Sequence, residues 1–162
     1  MKPTRFIALL ALSLLAAALG RADTPRAHAL GKPLLVVVSA RSGVHDVSTA
    51  ALRRIFQGLP TEFEGGKRYI PLNHATGTPA RAQFDRAVLG LEPTQVGPFW
   101  IDRRIRDESP PPRTIPSPEL ALRIAASLPG AITYVYPELL NTTVRALTVE
   151  GKSAGQAGYL LK

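Results

Sequence analysis

Residues 34 to 38 read Leu-Leu-Val-Val-Val, an uninterrupted apolar run rich in β-branched side chains. Such a run is too short for a helix and reads as a strand buried inside a sheet. The chain is therefore committed early to sheet structure, and the segments that follow decide the class. Ser48 is a good N-cap, and Leu52, Ile55, Phe56 and Leu59 recur at helical spacing until Gly58 and Pro60 end the segment. Phe63 to Lys67 reads as a turn feeding a strand at residues 68 to 72. Thr78 can cap a second helix that Pro79 opens, with Ala80, Phe84, Val88 and Leu91 on its apolar face and Arg81 and Asp85 on the other. Glu92-Pro93 opens a third helix whose Val96, Phe99, Trp100 and Ile105 supply core bulk, and the prolines at 110 to 112 form an extended connector. Ser117-Pro118-Glu119 starts a fourth, with Leu120, Ile124 and Leu128 inward and Pro129-Gly130 as its stop. Strands at 131 to 136 and 144 to 149 follow, with Glu150 to Lys152 as a turn. This alternation, without internal repeats, argues for an α/β fold. Phe56, Phe84 and Trp100 each lie on the apolar stripe of a different helix and are expected to pack together.

The chain begins with Lys2 and Arg5, followed by an apolar run from Phe6 to Leu19 and small residues at Gly20 and Ala22. The run is shorter than the roughly 20 apolar residues that span a bilayer. The pattern fits a secretory signal peptide, residues 1 to 22, cleaved after Ala22. Arg21 is an awkward residue next to the cut, and an uncleaved N-terminal anchor is the competing reading. Cleavage leaves 140 residues, enough for one ordinary domain. Residues 23 to 32 carry no apolar period and read as a flexible mature N-terminus, with the domain at 33 to 162. The mature chain keeps 17 basic and 12 acidic residues, a net charge of +5. Its basic groups, Arg53-Arg54, Lys67-Arg68 and Arg103-Arg104-Ile-Arg106, are scattered, unlike the continuous stripe of a nucleic-acid binder. The sequence has no cysteine, which excludes disulfides, thiolate metal sites, a thiol nucleophile and a lipoprotein anchor. A periplasmic or secreted protein, not inserted in a membrane after cleavage, is the simplest outcome.

Catalytic motifs are thin. His28, His45 and His74 lack the spacing of a zinc helix. Ser39 and Ser42 flank Arg41 outside any nucleophile elbow, and His45-Asp46 are adjacent in sequence, which is not a triad arrangement. The chain is expected to be no enzyme and to need no metal or cofactor. Thr76-Gly-Thr78 has more content, because two hydroxyls, a permissive glycine and free backbone N–H groups converge where a helix dipole is positive. From these residues an oxyanion site and an ordinary threonine cap are both open readings. Arg81, one turn on, closes on such an anion in the first reading and pairs with Asp85 in the second.

Taken in order, a set of segments resembles the phosphate-binding proteins of ABC transporters, and more specifically their short exported members. They are Leu52-Arg-Arg-Ile-Phe-Gln-Gly58, Glu64-Gly-Gly66 before a strand, the Thr76-Gly-Thr78 turn with Phe84, the Phe99-Trp100 pair and Pro129-Gly-Ala-Ile-Thr-Tyr-Val135. The resemblance covers residues 34 to 150. It implies a single lobe like one domain of a type 2 periplasmic binding protein, a mixed sheet flanked by helices. Family members close two such lobes around phosphate. Their Arg-x-Asp-x-Ser-Gly-Thr turn corresponds here to Leu72, His74, Thr76, Gly77 and Thr78, so a guanidinium and a carboxylate are replaced. The implied function is weak binding of phosphate or a similar oxyanion at Thr76, Gly77 and Thr78, with Arg81 as a helper. The alternative is a non-catalytic module that kept the fold, lost ligand capture and docks an envelope protein through its basic helices. A homodimer would rebuild a two-sided cleft.

Overall fold

A computed structural model describes residues 31–106 and 108–162. The expected signal peptide, most of the mature N-terminus and His28 lie outside the described residues. Nine strands and four α-helices are assigned among them. In chain order these are β1 (Leu35–Ser39), β2 (Asp46–Val47), α1 (Thr49–Phe56), β3 (Glu62–Phe63), β4 (Lys67–Arg68), β5 (Ile70–His74) and α2 (Pro79–Phe84). They continue with α3 (Pro93–Ile105), β6 (Arg113–Ile115), α4 (Pro118–Ser127), β7 (Ala131–Val135), β8 (Val144–Ala146) and β9 (Thr148–Val149).

The five-stranded sheet has the order β6-β5-β7-β1-β8. β5 runs parallel to both β6 and β7, whereas β1 is antiparallel to β7 and β8, so the sheet is mixed. Successive side chains of a strand point to opposite faces. Val36 and Val38 accordingly join a core layer with Leu52, Ile55 and Phe56 of α1 and Phe84 of α2. Leu35 and Val37 join the other layer with Ala121, Leu122 and Ala125 of α4. β1 is apolar from Leu35 to Val38 because both of its faces are covered, as its sequence requires.

Three helices differ from expectation in the faces they bury. In α4, Ala121, Leu122 and Ala125 face inward, while Leu120 and Ile124 are half-buried and Leu128 is exposed. The small alanines let the helix lie close on the sheet, and Leu128 falls beyond the last turn. In α3 only Val96 and Trp100 are buried, and Ile105, expected in the core, is 79% exposed. Trp100 belongs to neither core layer; the aromatic cluster is Phe56, Phe84 and Tyr134, with the Phe84 and Tyr134 rings stacked at 3.8 Å. After α2 the chain makes a π-turn, Asp85–Leu89. The extra residue in such a turn rotates the helix face, so Phe84, Asp85 and Val88 are all buried and the Arg81–Asp85 pair lies inside instead of on the solvent side.

The strand expected at 68 to 72 is also displaced. The turn Glu64–Gly66 folds β3 back on β4 as a separate hairpin, so the sheet strand begins only at Ile70. The expected strand at 144 to 149 divides between two partners, β8 on β1 and β9 parallel to β2.

Candidate functional site

The Thr76-Gly-Thr78 turn leaves the C-terminal end of β5 and enters α2. Gly77 has φ of +86° and open space where a Cβ would stand, so backbone conformation, not crowding, calls for glycine there. Thr78 is the N-cap: its Oγ1 accepts from the Arg81 N–H at 3.3 Å and donates to the Ala75 carbonyl at 2.9 Å. Pro79, at the first helical position, has no N–H to offer. The next one, on Ala80, has no acceptor among the described residues. Thr76 and Gly77 are exposed. The turn therefore presents one hydroxyl and at least one backbone donor to solvent at the positive end of a helix.

Beneath the turn lies a buried polar cluster. Arg81 is only 5% exposed; its Nε donates to Asp85 Oδ2 at 2.6 Å and its Nη1 to the His74 carbonyl at 3.0 Å. The guanidinium thus ties the end of β5 to α2. Burial pushes the Asp85 carboxyl above its ordinary range, against the pull of Arg81. The His74 ring is held at 2.6 Å from the Tyr134 carbonyl. Desolvation lowers its pKa, opposed by that carbonyl and reinforced by Arg81, so the ring is neutral near pH 7. Tyr134 donates its hydroxyl to Asn73 Oδ1. Leu72, where the resemblance would place an arginine, is 2% exposed and sits in the core. Neither position where the resemblance would place a charged side chain carries one at the surface.

A second helix start stands beside this turn. The β5–β6 register places His74 opposite Ile115, and two residues later Ser117 caps α4, accepting from the Leu120 N–H at 3.2 Å. Helices on both faces of the sheet thus begin at adjacent strand ends. In the sequence both starts share a hydroxyl residue followed by proline, Thr78-Pro79 and Ser117-Pro118. That signal was readable, but the adjacency of β5 and β6 was not.

The remaining candidates are engaged elsewhere. Ser39 Oγ donates to the Ala126 carbonyl, and Ser42 Oγ accepts from the Val44 N–H. His45 is exposed against the Arg145 guanidinium. Asp46 accepts from the Thr148 hydroxyl and the Gly151 N–H; these bonds, the Thr148 one foremost, lower its pKa. No group of three or more potential metal ligands occurs among the described residues. None of their helices is long and apolar enough to cross a membrane.

No protein-family model matches the sequence, and no curated protein sequence does either. Solved structures do match in fold. An ABC-type phosphate transport receptor from Vibrio cholerae aligns with a TM-score of 0.60 at 15% identity, over 75% of this chain and 48% of that one. A phosphate ABC transporter substrate-binding protein from Clostridium perfringens, solved with bound phosphate, gives 0.60 at 14% identity over 75% and 46%. PstS from Borrelia burgdorferi gives 0.54 at 13% identity over 75% and 48%. The chain spans just under half the length of each. At such identities the likeness is one of fold: a mixed sheet flanked by helices, matching a single lobe of the receptor architecture.

Proposed function

We propose that this chain is an exported, non-enzymatic binding protein related to phosphate transport, which takes phosphate or a similar oxyanion weakly at Thr76, Gly77 and Thr78. The observation that carries the reading is the exposed donor set of that turn at the start of α2, on a lobe with the fold of phosphate receptors. Arg81 acts indirectly in this reading, since its guanidinium braces the turn from below. Magnitudes limit the affinity. A helix N-terminus contributes at most about 2 kcal/mol to a nearby charge, and each hydrogen bond to a charged group roughly 1.5 to 3 kcal/mol. Thr78 spends its hydroxyl on the cap, leaving the Thr76 hydroxyl and the Ala80 N–H. After an association cost of about 4 kcal/mol or more, at most about 4 kcal/mol remains, an affinity of order millimolar.

NMR titration with inorganic phosphate should shift the amides of Thr76, Gly77 and Ala80 saturably. Thr76→Val should abolish the effect without changing stability, because that side chain is exposed. A folded protein with no saturable shift at this turn would favour a module that has lost ligand capture. The surface for that second reading is α3, where Ile101 and Ile105, one turn apart, are 61% and 79% exposed. Of the basic residues expected there, Arg104 and Arg106 are exposed, whereas Arg103 folds back toward Phe99, Trp100 and Glu108.

A periplasmic or secreted location belongs to the same proposal and rests on the charged start and apolar run of residues 1 to 22. Mass spectrometry of envelope fractions should find a mature N-terminus at Asp23. Recovery of only the intact chain from the cytoplasm would refute export.

A further inference from the structure

A cavity of about 340 Å³ lies at the end of the sheet opposite the Thr76-Gly-Thr78 turn. That volume is at the lower end of the range for small-molecule sites. It opens where β1 ends, beside the last turn of α4, and the β3–β4 hairpin forms its outer wall. The hairpin contributes Phe63 and Lys67, with Tyr69 directly after it, and the two rings lie 5.0 Å apart. From the loop after β1 comes Arg41. The wall is closely seated: a Cβ at Gly130 would stand 2.5 Å from the Arg68 carbonyl oxygen, so the hairpin backbone rests directly on that glycine.

Among the described residues no acidic side chain lines the cavity and no carboxylate pairs with Arg41 or Lys67. A helix C-terminus at its edge would ordinarily disfavour an anion. Here that end is occupied by the protein's own donors. The Ser127 hydroxyl donates to the Arg123 carbonyl at 2.9 Å, Ser39 Oγ donates to the Ala126 carbonyl at 3.1 Å, and the Ala131 N–H takes the Leu128 carbonyl at 3.1 Å. A third cation, the Arg145 guanidinium, holds the loop carrying Arg41 through the Ala40 and Ser42 carbonyls at 3.0 and 2.9 Å. Among the described residues the charges lining the cavity are positive, and Phe63 and Tyr69 give it an aromatic wall.

We propose that this cavity binds a small organic carboxylate with a flat apolar body, its acid group between Arg41 and Lys67 and its body against Phe63 and Tyr69. A bare oxyanion would satisfy the two cations but leave the aromatic walls unused, which separates this site from the turn at 76 to 78. The site is independent of the phosphate reading.

NMR titration of the full-length chain with benzoate, its neutral isostere benzamide and inorganic phosphate tests the proposal. Benzoate should shift the amides of Ser42, Gly43 and Lys67 saturably and show contacts to the Phe63 and Tyr69 rings. Benzamide should bind about threefold or more weakly, and the double variant Arg41→Gln/Lys67→Gln should weaken benzoate by a similar factor or more, as expected for exposed charges. Thr76→Val should leave benzoate binding unchanged, so loss of the phosphate site and loss of this one are read separately. Absence of saturation at these amides, equal binding of benzamide, equal binding by the double variant, or phosphate competing as well as benzoate would each overturn the assignment.

Discussion

His74 stands where the resemblance would place an acidic residue, and its environment gives it a role in stability. The ring is 4% exposed, and burial lowers its pKa from the ordinary 6.5. The unfolded chain therefore binds a proton at this residue at a pH where the native protein does not, so stability rises with pH through that interval. Its contribution is present above 6.5 and is lost as pH falls toward the depressed native value. We expect denaturant midpoints of the wild type to decline as pH drops below 6.5, and His74→Gln to flatten that decline. Parallel pH profiles for the two proteins would refute a buried neutral imidazole. Arg81 illustrates the same scale differently. Its spacing to Asp85 was readable as an ion pair, but burial makes the pair a brace in which loss of either partner would strand a charge.

Among the helices, α3 is the one least held by the core. Of its 13 residues only Val96 and Trp100 are buried, and Pro98 in its interior cannot donate to the helix ladder. By contrast α1 and α4 each bury three side chains within ten or fewer residues. Local opening follows such differences in apolar burial. Hydrogen–deuterium exchange should therefore be fastest in α3, slower in α1 and α4, and slowest in β1 and β7, whose residues are all buried. Protection of α3 equal to that of α4 would mean that another surface covers Ile101 and Ile105, and concentration dependence would then identify a second copy. The helix starts were legible in advance because capping is local: Ser48, Thr78 and Ser117 each accept from the N–H three residues on.

For the molecule as a whole, the sheet is the centre, with a core layer on each face and the aromatic cluster in one of them. Phe56 and Phe84 are fully buried with ring centroids 4.5 Å apart, and Tyr134 closes the group. Phe56→Ala should cost about 3 to 5 kcal/mol in chemical denaturation. Trp100→Ala should cost less, about 1 to 2 kcal/mol, since that ring packs outside both core layers and its buried Nε1 has no hydrogen-bond partner among the described residues. Equal losses would place Trp100 in the core after all.

The α/β class, the buried strand at 34 to 38 and the four helix starts follow from the sequence alone, because each depends on residues within a few positions of one another. So did the candidate turn at 76 to 78, whose hydroxyls, glycine and following proline are contiguous. Tertiary structure alone decided that β7 lies between β5 and β1, since strand pairing joins residues about 60 to 100 positions apart, such as Ile70 with Ala131 and Leu35 with Val135. The pairing of β5 with β6, also beyond local sequence, sets the starts of α2 and α4 side by side. It also brings Arg41, Phe63, Lys67 and the end of α4 around one cavity at the far end of the sheet. Helical periodicity misjudged Arg81, Asp85, Ile105 and Leu128 for the same reason: it defines the faces of a helix, but which face meets the core depends on where the sheet lies.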